Sequence, residues 1–351
     1  MPTVARIRNE KLLNADNERL SIRVDGKKIL PPQDFTFTEY FDACSSSFEI
    51  GNYPISETSG LSLTPGALEK VQISIIGEGV FSGNVEILSP SITQSSKSIS
   101  FSGRSSARLL EKSALPESVK REFPNMSLKT ICNIVCSSLN LDISVDTGID
   151  ASFKFKRATY KDDESAYSFL SRLCKEAGFV LTDTTDGRPF ITKSSIGNPV
   201  AKFELDDQFI KFLGVDSIST TYDTTKLFGT YTGKTQTPKS TLNKSTAKSS
   251  VIIEPSVIFL NFDDSTGGTL KSMVATAEKK AIREFFDNFI PYPSWENPES
   301  GERWKAGQTI VINAKDVYFE NKEVLITKIE FKKGANGEVA LLYFKPVETY
   351  E

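Results

Sequence analysis

Leu20, Ile22 and Val24 alternate with polar residues and run straight into Asp25-Gly26. This period of two, which returns at the far end of the chain, constrains the fold more than any other feature. Side chains of one kind at every second position mark a half-buried strand, and Asp-Gly marks a tight hairpin turn. Lys27 to Leu30 is the returning strand, and Phe35, Phe37 and Phe41 carry the pattern on. After a loop rich in Ser, Gly and Pro come Val71 to Ile75, a turn at Gly77-Glu-Gly79, then Val85 to Ile87 and Ile99 to Phe101. Short strands with turn signals between them predict a barrel-like or sandwich unit over 1–102.

The period changes after Gly103. Ser106 to Ala114 predicts a short helix, and Pro116 a turn or a second helix. Ser127 is a good N-cap for Leu128, Ile131, Cys132, Val135 and Leu139, which recur at helical spacing. Ala166, Phe169, Leu170, Leu173, Cys174 and Ala177 follow i, i+3, i+4, i+7, i+8 and i+11, with Asp163 as N-cap candidate and Gly178 as C-terminal stop. Phe179 to Leu181 and Pro189 to Thr192 flank Asp186-Gly187 as a hairpin. Residues 103–197 read as a small α/β domain.

From residue 198 strand patterning returns in Phe203 and Leu205, Phe209 to Val215 and Ile218 to Tyr222. Lys234 to Ser250 is nearly all Lys, Thr and Ser, with four lysines and no acid, which predicts a solvated, flexible loop. It lacks the interleaved aromatics that base stacking needs. Val251 to Phe262 resumes a strand, Gly267-Gly268 breaks it, and Leu270, Met273, Val274, Ala277, Ala281 and Phe285 outline a long helix ended by Pro291 and Pro293. Thr309 to Ile312, Val324 to Phe331 and Val339 to Phe344 are closing strands, with Asn336-Gly337 as the last hairpin turn. The class is α+β. A second barrel-like unit takes 198–262 and 306–351, and 263–305 is a helical insertion.

The 351 residues contain no histidine. That removes Ser-His-Asp and Cys-His nucleophiles, His-bearing zinc sites and the side chain best suited to proton transfer near neutrality. Cys132 and Cys136 share a helix face, Cys174 plays the same role on the next helix, and Cys44 falls in another predicted unit. They read as buried small apolar residues, with no metal and no cofactor implied. A net charge of −3 gives no global field for holding nucleic acid. The polar N-terminus lacks the apolar core of a signal peptide, and no stretch has the length of a membrane span, so the chain is expected to be made and kept in a reducing cytosol, or exported only by lysis. Gly77-Glu-Gly79 joins two strands and leads into no helix that could receive a phosphate. Asp162, Asp163 and Glu164 sit where a helix N-terminus favours negative charge. The pairs Asp206-Asp207 and Asp263-Asp264 are adjacent on strands, so their side chains point to opposite faces, poorly placed for paired-carboxylate hydrolysis. Trp295 and Trp304 flank a loop of Pro, Asn, Glu, Ser and Gly, and either pack that loop or offer a protein or sugar contact.

Several segments, in this order, resemble the baseplate hub proteins of Mu-like contractile phages, relatives of the late-control D proteins and of secretion-spike hubs. They are Leu20-Ser-Ile-Arg-Val-Asp-Gly26 with Phe35–Tyr40 and Ser46–Ile50; Phe101-Ser-Gly-Arg-Ser105 with Ala107–Glu111; Glu164–Gly178; and Arg303-Trp-Lys-Ala-Gly307 with Glu323–Ile326 and Gly337–Pro346. The resemblance implies a non-enzymatic homotrimer in which two barrel-like domains per subunit form a tube. Such a tube links a central spike to the tail tube and leaves a channel through which DNA passes without specific binding. It implies a place in the virion baseplate and no membrane anchor. Gly103, Arg104, Trp295, Trp304 and Gly307 are the candidate structural or interface residues. The alternatives from other classes are a cell-wall hydrolase using carboxylates and a carbohydrate-binding tail module using the two tryptophans.

Overall fold

The alternating segments from both ends of the chain enter one thirteen-stranded sheet. The structure, a computed structural model, describes residues 19–55, 63, 65, 67–150, 152–193, 197–204, 217–236, 242–249, 256–262 and 270–350. The strands expected at Leu205 and 209–215, both acidic pairs near 206 and 263, and Gly267-Gly268 lie outside these residues. The first part of the sheet comprises β1 (Leu20–Val24), β2 (Lys27–Ile29), β3 (Asp34–Tyr40), β4 (Ser47–Pro54), β5 (Lys70–Ile75), β6 (Glu78–Ile92) and β7 (Lys97–Ser105). Asp25 and Gly26 both take positive φ, the turn geometry that fits the right-handed twist of β1 and β2.

The last third supplies β13 (Lys202–Glu204), β14 (Ser219–Tyr222), β18 (Phe286–Tyr292), β19 (Thr309–Ala314), β20 (Phe319–Gly334) and β21 (Gly337–Pro346). The strand order is β14-β18-β21-β20-β3-β4-β7-β6-β5-β1-β2, with β19 on β20 and β13 on β19. The seam is β3 against β20, where Phe37 lies opposite Phe331 and the two rings stack with centroids 5.9 Å apart.

The two units expected to be barrel-like both contribute strands to this one sheet. Among the described residues no strand pairing closes either unit. The free edge of β3 is taken by β20, so both units share one core from Leu20 to Phe344. The sheet nevertheless curls. Phe81 of β6 reaches Phe37 at 5.9 Å and Phe48 at 5.3 Å, although β6 and β3 are not neighbours. Side chains bridge the curl. Arg19, just before β1, binds Glu338 at 2.8 Å and Glu296 at 2.7 Å. Arg303 binds Glu39 of β3 at 2.6 Å and Glu78 of β6 at 3.2 Å.

The middle unit contains α1 (Arg108–Lys112), β8 (Glu122–Ser127), α2 (Leu128–Ser138), β9 (Ser144–Val145), β10 (Lys154–Thr159), α3 (Ala166–Glu176), β11 (Val180–Asp183) and β12 (Pro189–Thr192). β8 pairs with β10, and β11, β12 and β9 form a three-stranded sheet. Ser127 caps α2 as expected, accepting from the Thr130 amide at 3.2 Å. At α3 the cap is Ser165, which accepts from the Ser168 amide at 3.1 Å, and not Asp163, which lies two residues too early. The predicted apolar face of α3 is buried, and Gly178 takes the left-handed conformation that ends it.

A further three-stranded sheet consists of β16 (Leu242–Lys248), β15 (Thr230–Gln236) and β17 (Val257–Phe262), in the order β16-β15-β17, next to α4 (Leu270–Phe285). The Lys/Thr/Ser segment expected as a flexible loop is therefore largely strand: Thr230 to Gln236 pairs with Lys248 to Leu242. Its composition resembles a solvated coil, but in β16 half-buried Ser245 and Ala247 alternate with exposed Lys244, Thr246 and Lys248, and Thr has high strand propensity. The expected stop at Pro291 is also corrected. α4 ends at Phe285 and Pro291 lies inside β18, opposite Leu341, past the end of the β14 pairing. Proline is tolerated at such an edge.

Candidate functional site

The middle unit meets the sheet through a set of charged and polar side chains. β7 carries the chain from one to the other. Gly103 sits on its inner side at a bulge in the β6–β7 pairing, and a Cβ there would lie 1.9 Å from the Asn84 carbonyl oxygen. Only glycine allows this approach. The neighbouring Arg104 points the other way and binds Glu86 at 2.7 Å and Glu111 at 2.5 Å. Glu86 also meets Arg108 at 3.1 Å and Lys112. One carboxylate on β6 thus gathers three cations from β7 and α1 and fixes the first helix of the middle unit to the sheet. Burial opposes ionisation of Glu86, but hydrogen bonds from Arg104 and Lys112 outweigh it and hold the carboxyl below its ordinary pKa.

A second contact lies on β11. The Asp183 carboxylate accepts from the Ser46 amide and the Ser46 hydroxyl, both at 2.9 Å. Burial pushes its pKa up to about 6, against the pull of these hydrogen bonds. Thr182 donates from its hydroxyl to the Tyr40 carbonyl at 2.9 Å, and the Cys44 thiol donates to the Thr182 carbonyl at 3.4 Å. The Gly187 carbonyl accepts from the Ala107 amide at 3.0 Å. Gly187 has φ +84, and a Cβ there would stand 2.2 Å from the Ser82 carbonyl oxygen. Between these contacts lies a cleft of about 210 Å³ lined by Glu39, Tyr40, Ser46, Asp183 and Ala306 among others.

Gly307 belongs to the same joint. Its φ is +91, and a Cβ would come within 2.8 Å of the Phe41 ring. Phe41 packs with Leu325 and Val347, and Val180 of the middle unit lies against that cluster. Gly103, Arg104 and Gly307 are thus all joint residues. The tryptophans are not. Both are fully buried in the sheet core. Trp295 donates to the Lys332 carbonyl at 3.1 Å and packs on Phe35, and Trp304 stacks on Phe203 with centroids 6.0 Å apart. Both rings are enclosed by side chains of the sheet core.

The four cysteines are free thiols in one core. The expectation that Cys44 lies apart from the others is corrected, because the turn after β3 inserts it beside the middle-unit helices. Cys132 makes a hydrogen bond with Cys174, which with burial raises its thiol well above the usual range, and burial pushes Cys136 to about 12. Among the described residues no group of carboxylates and thiols is arranged to hold a metal ion. No helix there is long and apolar enough to cross a membrane. Of the acidic run before α3, Asp162 is exposed near Arg121, and Glu164 binds Arg172 at 2.8 Å and accepts from the Lys161 amide at 2.8 Å. Sequence reasoning missed Asp183, Glu86 and the burial of Arg303, since partners distant in sequence define all three. Of the three, only Arg303 figured in the sequence reading, as the first residue of Arg303-Trp-Lys-Ala-Gly307.

Residues 106–193 match the family described as baseplate hub protein gp44-like, second domain. The fold of the whole chain is similar to the 43 kDa tail protein of prophage MuSo2 from Shewanella oneidensis, with TM-score 0.80 and 21% identity over 95% of this chain and 100% of that one. It is similar to the tail protein from Neisseria meningitidis MC58, with TM-score 0.78 and 15% identity over 95% and 97% of the two chains. A more distant likeness, with TM-score 0.54 and 13% identity over 93% and 76%, is to the E. coli c3393 protein. That protein is a type VI secretion component with structural similarity to the T4 phage tail proteins gp27 and gp5. No curated protein is similar to the chain in sequence.

Proposed function

We propose that this chain, whose residues 106–193 match the gp44-like baseplate hub second-domain family, is a structural subunit of a contractile phage-tail baseplate that works as a homotrimeric hub. Each subunit brings two curled, barrel-like halves of one sheet. In a trimer these alternate around a channel wide enough for DNA, which makes a pseudo-sixfold ring from a threefold assembly. The ring fits a threefold spike on one side and a sixfold tail tube on the other, with the middle units outside. Its partners are then its own copies, the central spike, and the tail tube or other baseplate proteins. Synthesis is in the host cytoplasm and the final place is the virion.

The observation that carries this reading is the joint. The middle unit is fixed to a continuous sheet by a three-cation cluster on Glu86, by Asp183 on Ser46, and by three glycines, Gly103, Gly187 and Gly307, that let backbone or ring approach closely. Such a frame suits a part whose work is to hold shape under load. The carbohydrate-binding reading fares worse because both tryptophans are inside the core, and Glu164 of the acidic run before α3 is engaged by Arg172. Immunogold electron microscopy of induced phage particles tests the assignment. Label at the baseplate is the expected result. Complete, infectious tails assembled from a phage deleted for this chain would overturn it.

A further inference from the structure

The three strands beside α4 carry a charge imbalance that the hub reading does not use. β15, β16 and β17 contain Lys234, Lys244 and Lys248 and not one Asp or Glu, in a chain of net charge −3. Alternation sorts their side chains into two faces. Tyr231 is buried on the helix side, where burial, with the charge of Glu278 on α4 adding to it, raises its hydroxyl pKa. By alternation Thr230, Thr232 and Lys234 lie on the other face of β15, where Thr232, in the middle strand of the sheet, is itself buried. The register extends this outer face across the sheet. Lys248 and Val257 flank Thr230, Thr246 and Phe259 flank Thr232, and Lys244 lies opposite Lys234.

All three lysines thus share one face with two exposed apolar side chains, Phe259 at 56% and Val257 at 46%. The Lys234 ammonium sits 4.0 Å from the Phe259 ring centroid. Like charges directly opposite destabilise a strand pair, and an exposed aromatic forgoes burial. An anionic partner with planar apolar groups offsets both costs.

We propose that this face binds single-stranded nucleic acid, with phosphates on Lys234, Lys244 and Lys248 and a base on Phe259. A base that stacks on the ring displaces the Lys234 ammonium, which then meets a phosphate. An acidic protein would satisfy the lysines but leave the ring without a planar partner, which is why nucleic acid is favoured. The composition of 234–250 concealed the site because its aromatic comes from β17, which pairs in parallel with β15. The inference goes beyond the hub reading and does not require a trimer.

Fluorescence anisotropy of the full chain with labelled oligo-dT tests it. Contact with three phosphates gives a log–log salt slope of about −2, so affinity should fall about 20-fold from about 50 to about 200 mM salt. Lys234→Gln/Lys244→Gln/Lys248→Gln should abolish binding. Phe259→Ala should weaken oligo-dT binding about fivefold or more while leaving duplex binding unchanged. The wild-type chain alone can overturn the proposal, by failing to bind oligo-dT at low salt or by binding poly-glutamate as tightly. A folded triple-Gln variant that binds like the wild type would also overturn it.

Discussion

Replacing Arg303 by methionine probes how the curled sheet is held shut. The guanidinium is 4% exposed and joins β3 to β6 through Glu39 at 2.6 Å and Glu78 at 3.2 Å, while also donating to the Trp304 carbonyl at 2.9 Å. Glu39 is largely buried and keeps only the Ala306 amide, at 3.0 Å, once the arginine is gone. An uncompensated carboxylate of this kind costs about 3–5 kcal/mol. Glu78 is two-fifths exposed, so its share is about 0–1 kcal/mol. Arg303→Met should therefore lower unfolding free energy by about 3–5 kcal/mol, and Arg303→Met/Glu39→Gln should recover more than about 1 kcal/mol of that through loss of the stranded charge. Urea unfolding followed by tryptophan fluorescence reads the correct region, since Trp295 and Trp304 are the chain's two tryptophans and both lie in the sheet core. A loss below about 1 kcal/mol, or a strictly additive double variant, would refute the claim that this arginine closes the curl.

Asp183 gives a pH dependence of defined sign. Its folded carboxyl titrates near 6 instead of 3.8, so the stabilisation it contributes is complete below the lower value and lost as pH rises through the upper one. The stability of wild type relative to Asp183→Asn should fall by up to about 3 kcal/mol between pH 4 and 7 in thermal or urea melts, and a flat difference would contradict the burial argument. Gly103→Ala should reduce soluble yield and melting temperature, because its Cβ collides with the Asn84 carbonyl; unchanged melting would show that the bulge can relax. Cys132 and Cys136 should stay unreactive toward a thiol reagent until the chain unfolds, as buried thiols of raised pKa, and rapid native labelling would contradict that. Limited trypsin digestion should spare Lys244 and Lys248, which lie in a paired strand, and early cuts there would mean that β16 does not form in solution.

Elements with strong local signals were legible in the sequence. α3 declared itself through six apolar positions at helical spacing and a terminal glycine, and β1 and β2 through alternation and Asp25-Gly26. β8 and β10 were not legible, because Glu122–Ser127 buries only Phe123 and Lys154–Thr159 only Phe155 and Ala158, too few for a period. The β3–β20 seam was invisible for another reason. Two strands almost three hundred residues apart carry no local mark of being neighbours, so one curled sheet reads as two barrels. The joint was half legible: Gly103, Arg104 and Gly307 stood out as turn or motif residues, while Glu86 and Asp183 acquire their roles only from partners that the fold supplies. Trp295 and Trp304 show the converse, since a polar loop around an aromatic looks like a binding site until the ring's burial is known.

The central claim is that the working unit is a trimer of this frame. Multi-angle light scattering of the purified full chain, at high concentration and with its cognate spike, tests that claim most directly. A mass of three times the 38.8 kDa chain alone, or of three such chains plus the bound spike on its addition, is the predicted result. A single-chain mass under both conditions would contradict the account.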